Sequence, residues 1–154
     1  MALTTMIDAI VALVAAVPGV GKVYAYRRFV PDEKTQIDLF VADGILNCWF
    51  VRREATAARD IGPQLWRSRH LVSIEGFRAI ESGAESEKAH QDLVEAIRAS
   101  LDSNRALPSA AGWLREPVQV QQFAEAKMNP TGVTCWYAKL TVQCEETPMG
   151  GVGQ

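Results

Sequence analysis

The stretch TCWYAKLTVQCEE, residues 134–146, decides the fold class because its side chains alternate without a break. The set Trp136, Ala138, Leu140, Val142 and Cys144 interleaves with the set Cys135, Tyr137, Lys139, Thr141 and Gln143. Successive residues of a strand point to opposite faces of the sheet. The pattern therefore predicts a strand with one buried face and one face that is at least partly in contact with water.

Four further segments have strand character. KVYAYRRFV (22–30) and HLVSIEGFRAI (70–80) are rich in β-branched and aromatic residues. ILNCWFVRR (45–53) is almost continuously apolar, which is typical of a strand that is covered on both faces. The weaker VQVQQF (118–123) predicts an edge strand.

Two helices complete the expected fold. Apolar residues recur at helical spacing from Leu3 to Val17, and Pro18-Gly19 ends that helix. Residues 81–103 form the clearest element, an amphipathic helix whose apolar stripe contains Ala89, Leu93, Val94, Ile97 and Leu101. We predict a single α+β domain over residues 1–146, an antiparallel sheet with helices packed on one face, and a flexible C-terminal tail at 147–154.

Three segments are less regular. Residues 31–44 fit either a short helix or a hairpin that turns at Asp43-Gly44. Residues 54–69 are read as a long loop or loose helical arm, a kind of segment that is often functional. VPGVGK (17–22) resembles a phosphate-binding loop, but it joins a helix to a strand, the reverse of the required order, so it predicts a Pro-Gly turn.

Composition limits the classes of function. The net charge is −2 over 154 residues, which gives no global attraction to nucleic acid or to a membrane. Three cysteines without a C-x-x-C pair predict reduced thiols and neither a disulfide framework nor a zinc ribbon. The N-terminal apolar segment lacks a basic start and contains Asp8, so it is interpreted as a folded helix and not as a signal peptide.

The search for catalytic chemistry returns little. The two histidines are His70, on the apolar face of a strand, and His90, in the amphipathic helix, and both are interpreted as structural or exposed. No nucleophile elbow occurs, and the cysteines and histidines lack the close spacing of a zinc site. We therefore predict no catalytic residues, no metal and no cofactor.

Arginine is the most informative residue type. The window 52–69 holds five arginines against Glu54 and Asp60, while the helix 81–103 is acidic. Arginine forms planar, bidentate pairs with carboxylates and phosphates. A chain with one basic and one acidic segment can associate head to tail and close as a ring. The alternatives are DNA contact by the basic window and an ordinary mixed, solvated surface.

The order of these features resembles a known family. An N-terminal helix is followed by VYAYRRFVPDE, ILNCWFVRREAT, HLVSIEGFRAIE, the acidic helix AHQDLVEAIRASLDS, GWLREP and CWYAKLTVQCEE. Over about residues 5 to 146 this order is similar to that of the tail terminator (tail completion) proteins of long-tailed bacteriophages and prophages. The resemblance implies a small α+β subunit of a hexameric ring on the last ring of the tail tube.

Partners and location follow from the same resemblance. Such a ring binds copies of itself, the tail tube protein and the head-side stopper or connector, and genome DNA passes through its lumen. The resemblance places the protein in the neck of the virion, after assembly in the bacterial cytoplasm, with no enzymatic activity and no membrane. The alternatives are another neck component (a head-closure or connector adaptor protein), a DNA-binding module and an enzyme.

The residues expected at subunit interfaces come from the basic window and the acidic helix. The basic window would reach a neighbouring subunit or the tube, because arginine and tryptophan are typical of interface hot spots. The acidic helix is its expected counterpart. The set is Arg52, Arg53, Arg59, Trp66, Arg67, Arg69, Glu85, Glu87 and Glu95.

Overall fold

The chain folds as two helices on a mixed, curled sheet, a single α+β domain. The computed structural model describes residues 2–26, 34, 39–42, 44–63, 65–80, 86–107, 112–115, 117–128, 133–146 and 149–150. The helices are α1 (Ala2–Ala15) and α2 (Ser86–Ser103). The strands are β1 (Lys22–Tyr24), β2 (Val41–Ala42), β3 (Ile45–Gly62), β4 (Leu65–Ala79), β5 (Gly112–Leu114), β6 (Gln119–Met128), β7 (Val133–Glu146) and β8 (Met149–Gly150).

The sheet is built on β3, β4 and β7, which are neighbours in that order. β5 and β6 both pair with β7, β2 pairs with β3, and β8 pairs with β4. These pairings are antiparallel, as predicted, but β1 runs parallel to β3. The prediction of a purely antiparallel sheet is therefore wrong, because one of its strand pairs is parallel.

Both helices pack on one face of the sheet, as the sequence predicts. Every third or fourth residue of each helix is fully or nearly fully buried there, which removes an apolar stripe from water. The core on this face includes Met6, Ile10, Val14, Leu93, Ile97 and Leu101 from the helices and Trp49, Val72, Ile74, Leu140 and Val142 from the sheet. We call this side the helix face.

The opposite side of the sheet has a second, smaller core near β1 and β2. It contains Phe40, Leu46, Cys48, Phe50, Phe77 and Cys135. The rings of Phe40 and Phe50 meet edge to face with their centroids 5.4 Å apart. The near-continuous apolar run at the start of β3 is thus covered on both faces, as its sequence predicts. Cys135 and Cys144 lie in different cores, and all three cysteines are free and buried.

Residues 54–69 are a strand pair, and the prediction of a loop or loose helix is wrong. β3 and β4 pair from Asn47↔Arg78 outward to Gly62↔Leu65, with the turn at Pro63. We call Arg52–Gly62 of β3 together with Leu65–Leu71 of β4 the arm. Ten consecutive residues of β3, 52–61, are exposed, so neither face of that strand is covered. A register shift between Arg53 and Ala55 marks where the arm begins.

The hairpin alternative for residues 31–44 is confirmed at its C-terminal end. Val41↔Leu46 and Ala42↔Ile45 pair across the turn, and Gly44 adopts φ 82°, which glycine tolerates best. Lys34, Leu39 and Phe40 are α-helical, so the short-helix alternative also holds at the described residues before this turn. Residues 27–33, 35–38 and 43, which include the rest of both alternatives, lie outside the described residues.

The two ends of the chain also bear on predictions. VPGVGK connects α1 to β1 through a turn in which Gly19 has φ 87°, as predicted. Met149 and Gly150 pair with Trp66 and Leu65 of the arm, and flexibility of the C-terminal tail stays a prediction. Neither described helix combines the length and the apolar character that crossing a bilayer demands.

Candidate basic interface on the arm

Four arginines line a cavity of about 510 Å³ at the arm. Register places it on the side opposite the helices: β4 pairs with β7 without interruption, so Arg67 and Arg69 share the face of Phe77, while Val72 and Ile74 face the helices. The cavity is lined by Ala57, Ala58, Arg59, Asp60, Ile61, Arg67, Arg69, Arg115 and Glu145. The lining thus includes four arginines and two acidic residues, of which Asp60 pairs with Trp66 and so directs its side chain to the opposite face.

Glu145 holds two of the four arginines in place. Its side chain is only 1% exposed, although it carries a charge. Nη1 of Arg115 donates a hydrogen bond to Oε2 at 2.8 Å, and Nε of Arg67 lies 3.3 Å from Oε1. The Arg67 contact lacks hydrogen-bond geometry at Nε, so it is an ion pair only. A buried carboxylate needs such partners because removing it from water is costly.

Strand β5 brings an aromatic surface to the same place. Trp113 pairs in register with Glu145, which puts both side chains on one face of the sheet. The guanidinium carbon of Arg67 lies 5.6 Å from the centroid of a Trp113 ring, within the range of a cation–π contact. Arg67 is therefore fixed by both a carboxylate and an indole.

Arg59 and Arg69 are not fixed in this way. Arg59 lies directly across from Arg67 in the antiparallel ladder, and like charges in that position are destabilising. Arg69 follows two residues after Arg67 on the same face and pairs with Ala57. Within the described part of the chain, neither Arg59 nor Arg69 has an ion pair or a side-chain hydrogen bond. The cavity thus holds an excess of positive charge without a local counter-charge.

The other predicted interface residues of the arm have separate surroundings. Nη2 of Arg52 lies 3.3 Å from Oε1 of Glu75, whose Oε2 accepts a 2.6 Å hydrogen bond from the Tyr137 hydroxyl. Arg53 pairs with Val72 in the ladder and is exposed on the helix face. Trp66 is half-buried opposite Asp60 near the end of the arm. The arm therefore does not bring all its arginines to one surface.

The acidic residues predicted on α2 are exposed and largely engaged within the helix. Glu95 forms an ion pair with Arg98 at 2.8 Å, and Glu87 accepts a 3.4 Å hydrogen bond from Gln91. Glu85 lies outside the described residues. No ion pair between α2 and the arm occurs among the described residues, so the structure does not bring these two predicted surfaces together within one subunit.

Sequence reasoning missed two charged members of the cavity, Arg115 and Glu145, and also Trp113, which contacts Arg67. The signal for Glu145 was present, because it continues the face of Tyr137, Lys139 and Gln143 at the end of β7. A charged residue at the end of a well-packed strand needs a partner. The partners come from β5, about thirty residues away in sequence, and only the strand pairing reveals them.

The histidines are part of the packing. His90 is fully buried, with its ring between Trp49 (centroids 5.4 Å apart) and Phe123 (5.5 Å). Burial, with a contribution from Arg78, lowers the pKa of His90 to about 4. His70 is within 2.8 Å of the Thr56 hydroxyl and 3.6 Å of Glu146. No cluster of three His, Cys, Asp or Glu side chains suited to a metal ion occurs in the described ranges.

Comparison with known proteins adds little. No protein-family model matches the chain, and no curated protein matches it. A solved structure without a descriptive name covers 95% of this chain and 94% of its own, at 14% sequence identity and a TM-score of 0.44. Similarity at this level carries no conclusion about fold or function.

Proposed function

We propose that this protein is the tail terminator of a long-tailed bacteriophage, a structural protein that caps the tail tube as a homo-oligomeric, hexameric ring. The observation that carries the proposal is the arm: ten consecutive residues of β3 are exposed on both faces. A strand that buries so little in its own subunit is suited to contact another molecule, and the order of features along the sequence resembles that of terminators.

The composition of the arm supports a role in protein contacts. An exposed strand edge presents unpaired backbone N–H and C=O groups, which favours pairing with another chain. Arginine and tryptophan, the residues that most often dominate binding energy, are concentrated there. The interface of the proposed ring involves the arm through Arg52, Arg53, Arg59, Trp66, Arg67 and Arg69 and the acidic helix through Glu85, Glu87 and Glu95.

The proposal defines the partners. One side of the ring binds the tail tube protein and stops its growth, and the other side receives the head-side stopper or connector. DNA passes through the lumen without specific binding. The protein has no enzymatic role, is assembled in the bacterial cytoplasm and resides in the virion neck.

The decisive experiment is mass determination by light scattering, with and without purified tail tube protein from the same phage genome, followed by negative-stain imaging. Six-fold rings or caps at tube ends are the expected result. The double variant Arg53→Glu/Arg59→Glu should abolish them, whereas Lys22→Glu on β1 serves as the matched charge reversal outside the arm and should not. A monomer that leaves tubes uncapped and still growing would overturn the proposal.

The nearest alternative is another neck component, since an exposed arm serves any ring. The same imaging with purified portal protein distinguishes the two: a connector adaptor binds portal and a terminator binds tube. A DNA-binding role would instead give a salt-dependent shift of duplex DNA.

A further inference from the structure

The cavity on the arm has the features of a site for an additional carboxylate. Glu145 pairs with both Arg67 and Arg115, although its single negative charge balances only one of them, and Arg59 and Arg69 have no counter-charge in the described structure. Their guanidinium groups lie on the same face as that of Arg67, and the three positive charges repel one another while the cavity is empty. One carboxylate between Arg59 and Arg69 would relieve that repulsion and can be held by bidentate hydrogen bonds.

A carboxylate suits this cavity better than the phosphate backbone of nucleic acid. The excess of positive charge is confined to this one cavity, whereas a DNA strand presents successive phosphate charges that need an extended basic surface. The protein as a whole has a net charge of −2, which also opposes an approach to DNA. A side-chain carboxylate on a protein surface brings only one negative charge into the cavity, so it is repelled less than a DNA strand.

Helix α2 offers one such group that is not already engaged. Glu95 is paired with Arg98, and Glu87 with Gln91. Asp92 is exposed and, within the described ranges, has no ion pair or hydrogen bond of its side chain. Ala96 and Ala99, four and seven residues further, are exposed on the same side of the helix. Their small side chains leave even a short aspartate free to project into a neighbour.

The two surfaces cannot satisfy each other within one subunit. The cavity lies on the side of the sheet opposite the helices, whereas α2 covers the helix face. A contact between them therefore joins different surfaces of two molecules. Repeated contacts of this heterologous kind close as a ring or continue as a filament.

We propose that the arm cavity is the receptor for Asp92 of a second copy of this chain, with Arg59 and Arg69 as the groups that bind its carboxylate. This inference rests on the proposed ring and specifies its subunit contact. It differs from the sequence-based expectation, which selected glutamates; of these, Glu87 and Glu95 are engaged within their own helix. Ala57 and Ala58 beside the cavity leave room for the approaching helix.

The test is sedimentation velocity of the full chain with neutralising variants of matched shape. Asp92→Asn should weaken self-association at least tenfold, and Asp8→Asn, the same substitution at an exposed position on α1, should leave it within twofold. Raising the salt concentration from 50 to 500 mM should weaken the unaltered protein but have a smaller effect on Asp92→Asn, because salt screens the lost charge pair. Equal effects of the two neutralisations would overturn the inference.

Charge exchange provides a second, independent test. Asp92→Lys and the pair Arg59→Glu/Arg69→Glu should each fail to assemble alone, and an equimolar mixture of the two proteins should recover assembly. All three positions are exposed or half-exposed surface sites, so far-ultraviolet circular dichroism should confirm that each variant is folded. A mixture of folded variants that stays monomeric would overturn the inference.

The outcomes separate this inference from the proposed function. Rings that form normally in every variant would reject Asp92 and keep the terminator proposal. A closed dimer that depends on Asp92 and Arg69 would keep the inference and reject the ring. Unaltered protein that remains monomeric alone and with tail tube protein would overturn both. Loss of DNA binding in Arg59→Glu/Arg69→Glu without a change in self-association would assign the cavity to nucleic acid.

Discussion

The inner and outer halves of the β3–β4 pair share one hydrogen-bonded ladder but differ in almost every other respect. In the inner half, the four residues from Cys48 to Val51 are at most 1% exposed and contribute to two cores. In the arm, which starts at the next residue, ten residues of the same strand are exposed. Strand formation and core formation are therefore separate properties of this segment.

The difference lies in the side chains and not in the backbone. The inner half presents Trp49, Phe50 and Val51, each of which removes a large apolar area from water. The arm presents alanine, threonine and arginine, which bury little or carry charge. The inner half thus supplies stability to the subunit, and the arm is left available for other molecules. Four predictions test this division, from the largest effect to the smallest.

Trp49→Ala should cause the largest loss of stability. The side chain is fully buried, stacks on His90 and packs against Gly76, so its removal opens a cavity in the larger core. We expect the free energy of unfolding to fall by about 4 kcal/mol. Urea denaturation followed by far-ultraviolet circular dichroism measures the change. A loss below about 1 kcal/mol would mean that the inner half is not the stabilising part.

Acidification should act on the inner half through His90. Its pKa is about 4 in the folded protein, lowered from 6.5 mainly by burial. Between these values the unfolded chain binds more protons than the folded one, so stability is lost as the pH falls from about 6.5 to 4. The full loss is about 3 kcal/mol at 1.36 kcal/mol per pKa unit.

The measurement for His90 is urea denaturation at several pH values between 7 and 4. His90→Met, which does not titrate and fills a comparable volume, removes the contribution of this group and serves as the control. The variant should show a shallower pH dependence than the unaltered protein. Parallel curves for the two proteins would contradict the prediction.

Gly76→Ala should have an intermediate effect. A Cβ atom at this position would lie 2.3 Å from the Trp49 ring, which cannot be accommodated without displacing the indole. Overpacking of this kind costs about 2 kcal/mol. At Gly44 an added Cβ atom would meet no other atom within 4 Å, but φ is positive. Gly44→Ala therefore provides a control for backbone strain without a clash. Thermal unfolding of both variants distinguishes steric from conformational costs.

Arg53→Ala in the arm should have the smallest effect. The side chain is exposed and has no ion pair in the described structure, so we expect a change of less than about 0.5 kcal/mol in unfolding free energy. Urea denaturation checks this value, and amide hydrogen exchange should show faster exchange in the arm than at Cys48–Val51. A large loss of stability would show that the arm belongs to the folding core.

The comparison also explains which parts of the fold the sequence could reveal. The sequence predicts β7 from its alternation and α2 from its apolar stripe, because each element buries one face in the core and burial of one face produces a periodic pattern. The arm buries neither side of β3, so this part of the strand leaves no periodic signal, and residues 54–69 were predicted as a loop or loose helical arm where the structure has a strand pair. The parallel pairing of β1 with β3 has no local signature in the sequence either.

The candidate site was readable only in part. Clustering along the chain revealed Arg59, Arg67 and Arg69, which the arm does bring to one cavity. It could not show that Glu145 pairs with Arg67, or with Arg115 just after β5, because those contacts join segments that are distant in sequence. It also could not distinguish the engaged Glu95 from the unengaged Asp92.

The three cysteines are buried, so we expect the native protein to react slowly with thiol-reactive dyes. Burial raises the pKa of Cys135 to about 11 and that of Cys144 to about 12, so the reactive thiolate is scarce at neutral pH. A single cysteine placed at Ala57 would therefore be labelled selectively by a maleimide fluorophore while the native thiols remain in place. Fluorescence from that one position would report, in real time, when a partner covers the arm.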